Sequence, residues 1–284
     1  MAVELSKLEQ FVALALREDV GNGDHTSLST IQENVKGEAK LLVKDTGILA
    51  GVSVAKDIFH IIDPDLQIDI ALEDGMEVKP GDIAFFVQGS VHSILKAERL
   101  VLNVMQRMSG IATRTSLYAK QLVGTDAKVL DTRKTTPLLR FLEKEAVRIG
   151  GGANHRFGLY DMILIKDNHV DYAGGISNAI ARAQAYRTTK GLSIPIEIEV
   201  RSFQELEEVL SNEYVDRVMF DNFTPKDVEK AVQLVDGRLV TEASGGITFE
   251  TIRDYALAGV DYISVGALTH SVKSLDLSLK AKIV

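Results

Sequence analysis

From about residue 125 onward the chain breaks into short β-branched runs, each closed by a polar residue or a glycine and most followed by apolar residues at helical spacing. The runs are 129–131, 162–166, 196–200, 218–221, 239–244 and 262–266. With Glu199, Asp221, Ser244 and Gly266 as run ends, the intervals are 22, 23 and 22 residues. Each interval holds one strand, one helix and two loops. Repeated βα units predict parallel strands, arranged as an open doubly wound sheet or as a barrel. A barrel with fewer than eight strands is expected, because chemistry-bearing residues stand at the ends of several different strands, as they do on the C-terminal face of α/β barrels.

The preceding residues have another texture. Ser6 and Glu9 have capping-box spacing, and Leu8, Phe11, Val12 and Ala15 form an apolar stripe, so a helix is predicted to run to about Asp19, before the Gly21-Asn22-Gly23 turn. Residues 35–92 alternate and turn like a small sheet, punctuated by Gly37, Gly47, Gly51, Gly75, Pro80-Gly81 and Gly89. Lys96 to Tyr118 reads as a long helix with Val101, Val104, Met105, Met108 and Ile111 inward. Arg99, Asn103, Gln106 and Arg107 share the opposite face.

The 284 residues suit about two domains. Hydrophobic residues at 45% and charged residues at 25% point to a folded, soluble chain rather than a disordered or membrane-spanning one. There is no cysteine, so disulfides and thiolate metal sites are excluded. The N-terminus has no basic leader, and its longest apolar stretch, Phe11 to Leu16, is short for a signal or a span. A cytoplasmic location is expected.

Charge changes the picture further. A net charge of −8 argues against nucleic-acid binding. Yet Lys96 to Lys166 contains thirteen Lys and Arg against six Asp and Glu. That concentration predicts a small, strongly anionic ligand; the competing reading is a basic, solvated helix face.

The predicted strand ends carry the candidates. Arg133 and Lys134 follow the first run, Lys166 and Asp167 end the second, Glu199 the third and Asp221 the fourth, and Ser244-Gly245-Gly246 and Gly266 close the last two. Such a ring is costly to bury without a ligand or metal. The glycines allow backbone N–H groups and following helix N-termini to approach a phosphate, or serve conformation alone. Glu199 and Asp221, on consecutive strands, suit Mg²⁺ or ribose hydroxyls, or salt bridges to neighbouring lysines. Gly150-Gly151-Gly152 permits a backbone path that returns His155 and Arg156 to the site beside Arg133, where guanidinium groups bind carboxylates bidentately.

These segments resemble the quinolinate phosphoribosyltransferase family across essentially the whole chain. The resemblance is carried by Glu98-Arg99, Leu102-Asn103, Ser109-Gly110, Asp131 to Pro137, Gly150 to Arg156, Lys166 to His169, Glu197 to Val200, Phe220 to Phe223 and Ser244 to Ile247. It implies an N-terminal α/β sandwich over 1–112, joined by the C-terminal tail 268–284, and an incomplete α/β barrel over 113–267 that carries the active site. It implies phosphoribosyl transfer from phosphoribosyl pyrophosphate to quinolinate with decarboxylation, with Mg²⁺ as cofactor. It also implies a homodimer, or a higher oligomer, with shared sites in which Arg99 serves the neighbouring subunit. By the same resemblance Arg99, Arg133, His155 and Arg156 hold the quinolinate carboxylates. Lys134 and Lys166 lie near the pyrophosphate and the reacting centre, and Glu199 and Asp221 at the ribose and Mg²⁺. Leu138, where glycine is common, and Glu145, where tyrosine is common, depart from the family pattern. Three other readings remain: a related phosphoribosyltransferase with another acceptor, a Schiff-base aldolase, and a non-catalytic metabolite-binding protein.

Overall fold

A computed structural model of the chain describes residues 6–282. The elements run in the order α1 (Lys7–Asp19), α2 (His25–Thr30), β1 (Lys36–Val43), β2 (Gly47–Ile48), α3 (Val52–Ile62), β3 (Gln67–Ile70), β4 (Glu77–Val78), β5 (Ile83–Ser90) and α4 (Val91–Gln121). They continue with β6 (Lys128–Leu130), α5 (Arg140–Ile149), β7 (Ile163–Ile165), α6 (Asp167–Ala173), α7 (Ile176–Thr189), β8 (Ile196–Val200) and α8 (Phe203–Leu210). Last come β9 (Arg217–Asp221), α9 (Pro225–Val235), β10 (Val240–Ser244), α10 (Ile252–Leu257), β11 (Tyr262–Ser264), α11 (Ala267–His270) and β12 (Leu277–Lys282). The chain divides into two compact units. One takes the described residues of Met1–Arg114, Thr136–Gly150 and Ser271–Val284; the other takes Thr115–Thr135 and Gly151–His270.

The first unit is built on an antiparallel sheet in the order β12-β1-β5-β3, so the returning C-terminal strand lies at its edge beside β1. β1 alternates between inward Ala39, Leu41 and Val43 and more exposed neighbours, which gives the sheet one apolar face. Lys79–Asp82 forms a turn: the Lys79 N–H donates to Asp82 Oδ2 at 2.9 Å, and Gly81 has φ +99. α1 carries its capping box, with Ser6 N–H donating to Glu9 and Glu9 N–H to Ser6 Oγ. α3 lies in a stretch whose alternation suggested strands alone. Val52, Ala55, Ile58 and Phe59 are buried along it, and Asp74 accepts from the Val52 N–H at 2.8 Å at its start.

Helix α5 also belongs to this unit, although it follows the first barrel strand in sequence. Phe11 meets Phe141 edge-on, and the fully buried Glu143 accepts from Arg107 Nε and Nη2 at 3.1 and 2.9 Å and from the Thr136 N–H at 3.2 Å. An unpaired buried carboxylate is expensive, so these three donors are what make Glu143 tolerable there.

The second unit holds six parallel strands in the order β6-β11-β10-β9-β8-β7. Each βα step from β7 to β11 moves to the next strand without the reversal of a doubly wound sheet. The first strand, β6, then pairs with the last, β11, as happens when a sheet curls round. β6 and β7 are not paired, so this is an incomplete α/β barrel, open between those strands. Ala153, after the three glycines, makes an isolated parallel bridge to Leu130 on the free side of β6.

Alternation decides what each strand gives to which side. On β8, Ile196, Ile198 and Val200 are buried towards the helices; on the cover, Ile180 of α7, Leu206 and Val209 of α8, and Val228 and Ala231 of α9 are buried too. Glu197 and Glu199 take the other face of β8. The same parity puts Arg217, Met219 and Asp221 of β9, Glu242 and Ser244 of β10, and Tyr262 and Ser264 of β11 inside the barrel.

Candidate active site

The inner face has two levels along the same strands. At the C-terminal ends, Lys166 Nζ donates to Glu199 Oε2 at 2.7 Å, bridging β7 and β8. The Lys166 backbone N–H donates to His169 Nδ1 at 2.9 Å, which ties the start of α6 to the strand end. Asp221 lies one strand further on. Burial and then the nearby Glu199 charge raise its pKa above the ordinary aspartate value, while Asn222 and Lys166 oppose the rise. Glu199 Oε2 accepts from Lys166 and Asp221 Oδ2 from Asn222 Nδ2 at 2.7 Å. Two hard oxygen ligands in a region with excess negative charge are a donor set that would suit a magnesium ion.

The glycines occupy the next strand ends. Gly245 has φ +95, and a Cβ there would lie 2.3 Å from Asn222 Oδ1 and 2.7 Å from the Asn222 backbone N, so only glycine fits. Gly246 has φ +60 and open space around it. Helix α10 begins six residues later, at Ile252, so the expected helix N-terminus does not directly follow this turn. Gly266 directly precedes the short α11, and a Cβ there would come within 3.2 Å of Lys134 Cδ. The Lys134 carbonyl accepts from Thr269 Oγ1 at 2.8 Å, and its N–H donates to Thr132 Oγ1 at 3.0 Å. Lys134 therefore stands on the glycine side of the rim and Lys166 on the carboxylate side.

His155 is set lower than the sequence suggested. Its backbone N–H donates to the buried Asp131 Oδ1 at 2.9 Å. Its Nε2 lies 3.1 Å from Glu197 Oε2 and 3.5 Å from Glu242 Oε2, and all three side chains are nearly or fully buried. Glu242 also accepts from Arg217 Nη1 at 3.0 Å and from Ser264 Oγ, and the Arg217 guanidinium stacks over Tyr262. Burial raises the Glu197 carboxyl, opposed by the Arg217 charge, contact with Glu242 and the Arg156 charge. Burial and the Glu197 charge push Glu242 up to about 7. Arg156, half-buried, has its pKa drawn down by desolvation and by Arg133, with Glu197 and Asp161 opposing. Arg133 and Lys134 are exposed, and Arg99 is exposed on α4 in the first unit.

Sequence reasoning thus found the rim and missed the level beneath it: Glu197, Glu242 and Arg217. The signal was parity, because Glu197 stands two positions before Glu199 and Glu242 two before Ser244. His155, Glu197 and Glu242 are also the cluster of three potential metal ligands found among the described residues. Arg217 already supplies a cationic partner to Glu242 there, and the imidazole lies against both carboxylates.

Matches to known proteins fit this geometry. Residues 24–109 match the N-terminal domain model of quinolinate phosphoribosyl transferase, and residues 111–280 match its C-terminal domain model. The chain belongs to the quinolinate phosphoribosyltransferase family. It is 46% identical to the chloroplastic nicotinate-nucleotide pyrophosphorylase [carboxylating] of Arabidopsis thaliana, over 96% of this chain and 82% of that protein. It is 44% identical to the probable nicotinate-nucleotide pyrophosphorylase [carboxylating] of Bacillus subtilis, over 92% and 89%. The crystal structure of NadC from Streptococcus pyogenes superposes with a TM-score of 0.92 at 38% identity, covering 100% of both chains.

Proposed function

We propose that this enzyme transfers the phosphoribosyl group of phosphoribosyl pyrophosphate to quinolinate and releases CO₂, giving nicotinate mononucleotide and pyrophosphate. The carrying observation is the rim itself: paired cations and carboxylates on successive strand ends, beside two glycine turns, in a chain of this family.

The residues divide the work by charge. Ser244, Gly245, Gly246 and Gly266 offer a small-residue cradle for phosphate, and Lys134, beside Gly266, neutralises the departing pyrophosphate. Glu199 and Asp221 hold the ribose hydroxyls and would hold Mg²⁺, which would supply charge neutralisation for the phosphates. Lys166, kept in place by Glu199, faces the reacting centre as ribose C1 gains oxocarbenium character. The pyridine nitrogen then forms the bond to C1 as the bond to pyrophosphate breaks. When the adjacent carboxylate departs as CO₂, the electron pair of the broken bond stays on the ring carbon, stabilised by the neighbouring cationic nitrogen, and a proton then adds to that carbon. Arg133, Arg156 and His155, with Arg99 from a second copy, orient the carboxylates. The proposal therefore includes a homodimer with shared sites. It also keeps the cytoplasmic location, supported by a sequence without cysteine.

An aldolase reading is disfavoured because Lys166 is bound to a carboxylate rather than held in an apolar pocket. The test is turnover with phosphoribosyl pyrophosphate and Mg²⁺, with quinolinate and nicotinate offered separately. Quinolinate loss matched by equal CO₂ and pyrophosphate supports the proposal. Turnover of nicotinate alone would reassign the acceptor, and binding of both ligands without product would point to a metabolite-binding protein.

A further inference from the structure

Of the level beneath the rim only His155 has a part in the roles just given, yet that level buries two carboxylates inside the barrel. A structural core would be cheaper with apolar residues, since removing charge from water costs more than most pairs return. What distinguishes this pair is the group it faces. The His155 Nδ1 accepts the Arg156 backbone N–H at 2.7 Å. A ring nitrogen that accepts carries no proton, so the proton of the neutral imidazole is on Nε2, the atom lying between the Glu197 and Glu242 oxygens. Asp131 fastens the same residue from its backbone N–H. The Arg156 guanidinium therefore leaves the chain from a peptide whose N–H is tied to a ring whose Nε2 faces the two buried carboxylates at 3.1 and 3.5 Å, in contact but outside hydrogen-bond geometry. Arg156 Nη1 also donates to the Met162 carbonyl at 3.3 Å, which limits the swing of the side chain.

We propose that Glu197 and Glu242 are positioning residues for the acceptor. They hold His155 as the Nε2–H tautomer and, through it, set the Arg156 guanidinium that meets a carboxylate of a pyridine dicarboxylate. Arg217 and Ser264 complete the device by holding Glu242 from β9 and β11, and the Tyr262 ring stacks against Arg217. Within the cluster Arg217 already pairs with Glu242, and the imidazole lies against both carboxylates. The inference rests on quinolinate being the acceptor only for its kinetic consequence; the tautomer stands or falls independently.

Two measurements test it. In ¹⁵N-histidine-labelled enzyme, with the His155 signals identified by their loss in His155→Gln, the ring is expected as the Nε2–H tautomer, and Glu197→Gln is expected to release it into exchange between tautomers. In steady-state kinetics Glu197→Gln should raise the quinolinate KM about tenfold, the effect of weakening one charge-assisted contact, while the phosphoribosyl pyrophosphate KM stays within about twofold. A ring found as Nδ1–H in the unmodified enzyme overturns the proposal even if the variant fails to fold. So does a folded Glu197→Gln enzyme with both KM values unchanged or both raised together. Absence of quinolinate turnover in the unmodified enzyme would instead refute the acceptor assignment, leaving the tautomer result to decide the positioning device.

Discussion

Glu197 and Glu199 stand two residues apart on one strand, face the same side and live in different worlds. Glu199 stands next to the strand's last residue and binds Lys166; Glu197 is fully buried among His155, Glu242 and the charges of Arg217 and Arg156. The same contrast repeats on β10, where Ser244 sits beside the glycine turn and Glu242 lies below it, and on β9, where Asp221 tops Arg217. Rim groups are arranged to be completed by a ligand, whereas floor groups are completed by one another. Rim substitutions should therefore cost chemistry and spare the fold, while floor substitutions should alter binding geometry and the dependence of stability on pH.

The largest effect belongs to the rim. Lys134→Ala should lower kcat about 100- to 1000-fold, the usual consequence of removing one electrostatic group from a transition state. Because Lys134 is exposed, its thermal midpoint should stay close to that of the unmodified enzyme. A melting curve shifted as strongly as the rate would place Lys134 in the fold rather than in the chemistry.

The floor makes a smaller and differently shaped prediction. Glu242 titrates at about 7 in the fold, against an ordinary 4.5, so the folded state holds its proton more tightly than the unfolded chain. Its contribution to stability is fully present below about pH 4.5 and is lost as pH rises through about 7, a total of about 3 kcal/mol at 1.4 kcal/mol per unit. The groups facing it are Glu197, His155, Arg217 and Ser264, and the first of these strengthens the effect by like charge. Urea titrations from pH 5 to 8 should show this decline in the unmodified protein and a flatter profile in Glu242→Gln. An unchanged slope would mean that Glu242 is ionised throughout.

The smallest effect lies outside both levels. Leu138 has φ +66 and is 80% exposed, so a branched side chain holds a left-handed backbone with no packing in return. Leu138→Gly should stabilise the protein by about 1 kcal/mol, measured by denaturant midpoint, with unchanged kcat.

Much of this was legible in the sequence. All six barrel strands fall on the predicted runs, because β-branched residues closed by polar or glycine ends leave a pattern that does not depend on tertiary contacts. Lys166, Glu199 and Asp221 stand at or beside strand ends, and Lys134 and Gly266 follow theirs, as read. The family glycine expected at Leu138 also matches a backbone angle that glycine adopts without strain. The floor was not read, because a glutamate inside a β-branched run looks the same whether it faces solvent or an interior; only its three-dimensional partners make Glu197 a buried group. Helix α3 was missed for a related reason. Its buried Val52, Ala55, Ile58 and Phe59 have helical spacing, but glycines on either side made the stretch resemble hairpin punctuation. Glu143 pairs with a residue 36 positions earlier, a distance over which no local pattern reports.

The measurement that bears most directly on the division between rim and floor is a side-by-side kinetic comparison of Glu199→Gln and Glu197→Gln with both substrates varied. The account predicts that Glu199→Gln loses kcat by about 100-fold with the quinolinate KM nearly unchanged, and that Glu197→Gln raises the quinolinate KM with most of kcat retained. Two variants that lose the same parameter to the same extent would contradict it, since one strand would then carry a single function at both positions.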